Sequence, residues 1–486
     1  MADSAAHARD TSFLKLGMGT AFPVGDGITV QVRKSGKARQ SHQAPLRGTQ
    51  GESAMQQILA LIVCTILATA FGSKAFAQDS PAVATANPVV DWNRALLVIV
   101  RTKGAQPATV HPTRSFAIMH AAIYDAVNAI DRSHEPNLVE LSRVPATASK
   151  EAATSVAAHD VLTALYPEFQ ATLDSQLSSE LAALPADLHT AEGEDVGHAV
   201  AAAILDLRSH DGSAAQPIPF VFINTPGRYQ STPPNFPAQP QFTHWSHVIP
   251  FVLTRADQFR PGPPPALTSD AYGDSFKQVK ALGVADSTAA TSDQKLIGRF
   301  WNGAIQNYWN VIAQTAALRH GLTTAHGARL FALLNLSLAD SVIAFYDAKY
   351  TYNFWRPVTA IRAADPRTNA ETQPDPNWLP EVGKTANDPS YPGAHAAISA
   401  AAQTVLATFF DTDHIRLDVT SEVLPGIERH FESFSAAERE ASRSRIFAGV
   451  HFSTDEQAGQ TLGRWVAGFV VQHSLGPEEH EERIMP

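Results

Sequence analysis

A chain of 486 residues, 44% of them hydrophobic and 17% charged, has the composition of an ordinary soluble globular protein and room for two domains or one large helical body. Its formal net charge of −10 excludes nonspecific nucleic-acid binding and adhesion to an anionic membrane surface. Any cluster of cations inside such a chain is therefore a local site rather than one part of a basic face.

The first 54 residues carry seven Lys and Arg against four Asp and Glu and show no sustained periodicity, so they read as a disordered or misassigned extension. Met55 then opens an apolar run of about 13 residues, 58–70, that ends in Ala75-Phe76-Ala77. This run is too short for a stable membrane span, which needs about 20 residues, and reads as a secretory signal over 55–77 with cleavage after Ala77. The single cysteine, Cys64, falls inside it, so the mature chain would have neither disulfides nor thiolate metal sites. The expected location is secreted or periplasmic.

From Val90 onward helical periodicity dominates. Apolar residues recur at i, i+3, i+4 and i+7 over 115–130, and comparable patterns cover 151–165, 190–208, 291–317, 323–350, 394–411, 434–450 and 454–473. Convincing alternating strands are absent. The fold class is mainly α, stacked helix bundles in two halves, 88–290 and 291–475. Residues 211–270 interrupt the pattern with about a dozen prolines, yet include Phe236, Phe242, Trp245 and Phe251. A solvated linker has no use for those aromatics, so this segment is expected to pack over the body and over a site entrance.

Three runs in the last third concentrate the chemistry. In the first, Lys349 is followed after six residues by Arg356-Pro357, nearly two helical turns, so a persisting helix would carry both cations on one face and end near Pro357. The second is Tyr391-Pro392-Gly393-Ala394-His395. A proline-led helix start leaves the N–H groups of Gly393 and Ala394 free for an anion, with His395 in the same turn to move a proton. The third is Ser444-Arg445, then His451 and Asp455; Ser453 and Glu456 have capping-box spacing, which puts a helix start at Ser453 and His451 in the preceding turn. A carboxylate at Asp455 would fix the His451 tautomer. Taken singly, each residue also fits an ordinary surface or capping role. Together they supply what a small, multiply charged oxyanion of phosphate or vanadate type requires. The remaining histidines, His111, His120, His159, His198 and His320, have no metal-ligand spacing and read as structural.

These runs resemble the signature of the vanadium-dependent haloperoxidase and type 2 phosphatidic acid phosphatase superfamily: Lys-x6-Arg-Pro, Pro-Ser-Gly-His and Ser-Arg-x5-His-x3-Asp. The flanks Asp347 to Arg362, Arg329 to Asn335 and Phe259 to Thr268 are similar to its bacterial haloperoxidase branch. The resemblance implies that Lys349, Arg356 and Arg445 neutralise the oxyanion and that His395 is the general acid/base. It implies His451 as the axial vanadate ligand, or as the nucleophile of a phosphatase with phosphate at the same site. The implied cofactor is vanadate, acting as a Lewis acid on hydrogen peroxide; the implied partners are peroxide, a halide and a small organic substrate, or else a phosphoester. A non-catalytic oxyanion-binding protein on the same scaffold is the third alternative. Gly393 stands where the motif has serine, Asp388 where relatives place Phe or His near the halide, and Asn302 where many carry an aspartate after a Phe-Trp pair. The oxyanion side thus reads as kept and the halide side as altered.

Overall fold

The computed structural model describes residues 21–24, 28–33 and 87–478. The apolar run, Cys64 and the expected cleavage point lie outside them. Thirteen α-helices follow in chain order: α1 (Pro88–Arg101), α2 (Thr113–Asp131), α3 (Lys150–Leu165), α4 (Gln170–Ala182), α5 (Leu188–Ser209), α6 (Asp270–Leu282), α7 (Ser292–Phe300), α8 (Ile305–Arg319), α9 (Thr324–Tyr352), α10 (Pro357–Arg362), α11 (Ala394–Phe409), α12 (Phe434–Phe447) and α13 (Ser453–His473). The fold is mainly helical, as the periodicity indicates. Short strands complete it. β1 (Ala21–Val24) and β2 (Ile28–Val32) form an antiparallel hairpin that pairs with β3 (Val139–Ser142), and β4 (Leu417–Thr420) pairs with β5 (Glu428–Phe431). The first hairpin lies within the leading segment where no element was expected. Val30 is buried there, and the Arg33 guanidinium donates to the Pro136 carbonyl at 2.7 Å.

At the centre runs α9. Its most apolar stretch is long enough to cross a membrane, but 94% of that stretch is buried against the other helices, so it is a core helix. The helices α2, α11 and α13 pack on it. On α13, Gly459 and Gly463 sit one turn apart, and a Cβ on either would collide with the carbonyls of Gly393 and Ala397. Their missing side chains let α13 lie backbone to backbone on α11. A buried amide chain ties further helices together: Gln314 donates to Asn93 at 2.6 Å, Asn93 to Asn310 at 2.8 Å and Asn335 to Asn310 at 3.0 Å.

The helical stretch expected at 291–317 is two helices. Trp301 to Ala304 breaks it, and Tyr308 Oη donates to the Phe300 carbonyl released there. Helices α1, α4, α6 and α10 were not foreseen. The proline-rich segment is ordered over the body. Asp340 of α9, fully buried, accepts the backbone N–H groups of Phe251, Val252 and Leu253 at 2.7, 2.8 and 2.8 Å. Arg260 makes a two-pronged ion pair with Asp347 of the same helix at 2.6 and 2.8 Å.

Candidate active site

Lys349 lies in the last turn of α9, but Arg356 is not on that helix. The helix stops at Tyr352, and Asn353 takes a left-handed conformation (φ 58°) that reverses the chain. Arg356 becomes the N-cap of α10, with Pro357 at the first helical position. The two cations meet through Asp388 instead. Its carboxylate lies 3.2 Å from Lys349 Nζ, pairs with Arg356 Nη2, and accepts from Gln241 at 3.0 Å and Tyr346 Oη at 3.4 Å. Lys349 also donates to the carbonyls of Pro389 and Ser390. Burial alone would raise the Asp388 pKa; the two cations outweigh it and hold it at about 2. Burial lowers Lys349 to about 8 despite Asp388. The carboxylate expected to repel a halide is therefore engaged by cations.

The helix start at the second run differs from expectation in two ways. Gly393 is the N-cap of α11 in extended conformation, so Pro392 lies outside the helix. The Gly393 N–H is not free for an anion, because it donates to the Asp455 carbonyl at 2.8 Å. Ala394, the first helical residue, lines the cavity described below. A side chain at 393 would meet the Glu456 carboxyl, 2.5 Å from an ideal Cβ. Serine at 393 and glutamate at 456 thus compete for one volume. His395 donates Nε2–H to the Trp301 carbonyl at 3.0 Å, which leaves Nδ1 as its basic nitrogen. Burial, with Arg445 adding to it, pushes its pKa well below the usual range and keeps the ring neutral.

In the third run, Gly449 (φ 79°) turns the chain between α12 and α13 and delivers His451 into the interior. Helix α13 begins at Ser453, but the cap is built otherwise than the capping box predicts. Phe452 is the N-cap residue, and Asp455, not Glu456, accepts its backbone N–H at 3.0 Å. The same Asp455 oxygen lies 3.2 Å from His451 Nδ1 and accepts from Ser390 Oγ at 2.6 Å. His451 Nε2 accepts from Arg356 Nη1 at 3.1 Å, so the tautomer carries its proton on Nδ1 and its lone pair on the cation side. Burial pushes the His451 pKa well down, with Arg356 and Lys349 adding to it, and burial raises Asp455 to about 6. Arg445 donates Nη2 to Asn302 Oδ1 at 3.1 Å; the asparagine therefore does the anchoring that an aspartate would do. Its Nε and Nη1 are buried and find no hydrogen-bond partner among the described residues.

Arg356, Asp388, Ala394, His395, Arg445 and His451 line a single cavity of about 230 Å³. Lys349 stands behind Asp388 rather than on the cavity wall. Sequence reasoning missed other lining residues, among them His111, Gln241, Gln306, Phe345 and Tyr346. His111, read as structural, is one of them; only the tertiary fold brings it there. Gln241 brings the proline-rich segment onto the cavity wall.

A buried nest of fixed cations beside two neutral histidines, set in a helical body, is suited to a small oxyanion. The orphaned N–H groups of Arg445 suit the oxygens of a tetrahedral anion such as vanadate or phosphate, and His451 Nε2, which here accepts from Arg356, is the nitrogen that could bond its central atom. A family model described as the VCPO second helical-bundle domain matches residues 329–476. The vanadium chloroperoxidase of Curvularia inaequalis is 26% identical, the match covering 56% of this chain and 57% of that protein's length. A solved bacterial vanadium-dependent iodoperoxidase superposes with a TM-score of 0.68 at 25% identity, covering 81% of this chain and 97% of its own. A holo-type bacterial vanadium-dependent chloroperoxidase shares the fold at TM-score 0.56 and 16% identity, over 81% and 94% of the two chains. Residues 329–476 thus match the second helical-bundle domain of vanadium chloroperoxidase, and the chain shares the fold of the vanadium-dependent haloperoxidases.

Proposed function

We propose that this protein is a vanadate-dependent haloperoxidase that oxidises a halide with hydrogen peroxide. The observation that carries the reading is the convergence of Arg356, Arg445, His395 and His451 on one cavity, with Arg445 donors to spare. Arg356 and Arg445 would hold the oxyanion, with Lys349 adding its charge from behind Asp388, and His451 would bind it through Nε2. When bound, vanadate supplies Lewis-acid activation of peroxide. The chain's own residues do the rest. Asp455 orients His451 and balances any charge the ring acquires. Neutral His395, fixed by the Trp301 carbonyl, can take a proton from peroxide at Nδ1 and return it to the product. We also propose export, on the strength of the apolar run and Ala75-Phe76-Ala77. N-terminal sequencing of secreted protein, expected to begin at Gln78, tests it.

The test of function is iodide and bromide oxidation by the purified chain with and without orthovanadate, with His451→Ala beside it. Vanadate-dependent turnover that His451→Ala abolishes supports the reading. Absence of turnover, with p-nitrophenyl phosphate hydrolysed in its place, would replace it with phosphoryl transfer through His451.

A further inference from the structure

We propose that His111 is the residue that contacts the halide, through Nε2–H; this rests on the haloperoxidase reading of the same cavity. Asp388 is committed to Lys349, Arg356, Gln241 and Tyr346, and a carboxylate offers a halide no donor. His111, a donor apart from the cations, lies on the wall of the same cavity. It precedes α2, and its ring caps that helix: the Thr113 N–H, unpaired at the helix start, reaches Nδ1 at 3.4 Å, with Thr113 Oγ1 at 2.9 Å. A backbone N–H can only donate, so Nδ1 is the acceptor and the ring proton sits on Nε2. That nitrogen makes no hydrogen bond among the described residues.

The surroundings favour one class of ligand. Rings of Phe242, Trp245 and Tyr346 lie 5.3, 6.2 and 6.3 Å from the His111 ring, centre to centre. Burial pushes His111 down to about 3, against the pull of Asp388, so the ring is a neutral donor in an aromatic wall. A neutral N–H with aromatic neighbours compensates poorly for stripping water from a small, strongly hydrated anion. It suits a large, polarisable one, which orders the halides iodide, bromide, chloride.

Two substitutions separate the donor from the shape. His111→Phe keeps a ring and removes the N–H; His111→Gln keeps an N–H donor. With the vanadate-loaded full chain, His111→Phe is expected to raise the halide KM at least tenfold, the loss of one hydrogen bond to an anion. The peroxide KM, and orthovanadate affinity by calorimetry, should stay within twofold, and His111→Gln should recover most of the halide KM. Bromide-soaked crystals add a readout independent of turnover: an anomalous peak beside His111 Nε2 in the wild type, missing in His111→Phe. An unchanged halide KM in His111→Phe, or bromide bound elsewhere in the cavity, overturns the assignment. A wild type that oxidises no halide refutes the enzymatic reading, and the bromide peak then decides the halide site by itself.

Discussion

Replacing Asp388 by Asn removes one negative charge from between two buried cations and keeps the side-chain shape. Two opposed effects follow. Lys349 Nζ at 3.2 Å and Arg356 lose their counter-ion in the interior, and breaking a buried ion pair costs about 3–5 kcal/mol. The amide oxygen still accepts a hydrogen bond, which puts the expected loss of stability near the lower end, at about 3 kcal/mol. Anion binding moves the other way. A unit charge removed roughly 6 Å from a bound anion, at an effective dielectric constant of about 20, is worth about 3 kcal/mol, or about a hundredfold in affinity. Screening and relaxation leave an expected tightening of ten- to a hundredfold for orthophosphate or orthovanadate. Calorimetric titration measures it, at a pH well below the wild-type Lys349 value of about 8 because losing Asp388 removes what raises that value; urea melts with and without anion measure the stability. Affinity that is unchanged or weaker would refute the counter-ion account and make Asp388 part of the binding surface.

Three further outcomes are expected. Asp340→Ala strands three buried N–H groups of the proline-rich segment and should cost several kcal/mol, at about 1–3 each before relaxation; limited proteolysis should then cut within 211–270, which stays intact in the wild type. Gly393→Ser, which restores the motif serine, should weaken orthovanadate binding because the new Cβ meets Glu456 at 2.5 Å, and Gly393→Ser with Glu456→Ala should recover it; equal affinities by titration would show that the two do not compete. His111 and His120 are depressed by burial from 6.5 to about 3, so their contribution is present above pH 6.5 and is lost as pH falls toward 3. At about 1.36 kcal/mol per unit this is up to about 5 kcal/mol for each. The urea midpoint should therefore fall between pH 7 and pH 4, and less steeply in His120→Gln than in the wild type.

The helices and the cationic runs were readable for the same reason: both are local. Apolar spacing along α2, α9 and α13 repeats within a few turns, and Lys349, Arg356, Arg445 and His451 stand in short, regular runs. What the periodicity missed was set by single interactions. Four residues, Trp301 to Ala304, break the pattern at 291–317 because Tyr308 and the His395 ring both use carbonyls from Phe300 and Trp301. Helix α10 has only six residues, too few for a period. The Gly393 N–H looks free in the sequence and is claimed by a carbonyl 62 positions away. His111 is the strongest case, since it lies 277 positions before Asp388 and nothing around it marks a site. Asp388 itself looked like an obstacle to halide, because spacing gives a residue's place but not which cations its carboxylate faces.

Because Asp388 is hard-wired between Lys349 and Arg356, the pocket carries its own neutralising charge whatever else it holds. On the proposed reading, the fold would not depend on vanadate to offset Lys349 and Arg356, and loading could follow folding. Such an enzyme would be switched on by the chemistry of its environment, with its catalytic capacity stored in advance.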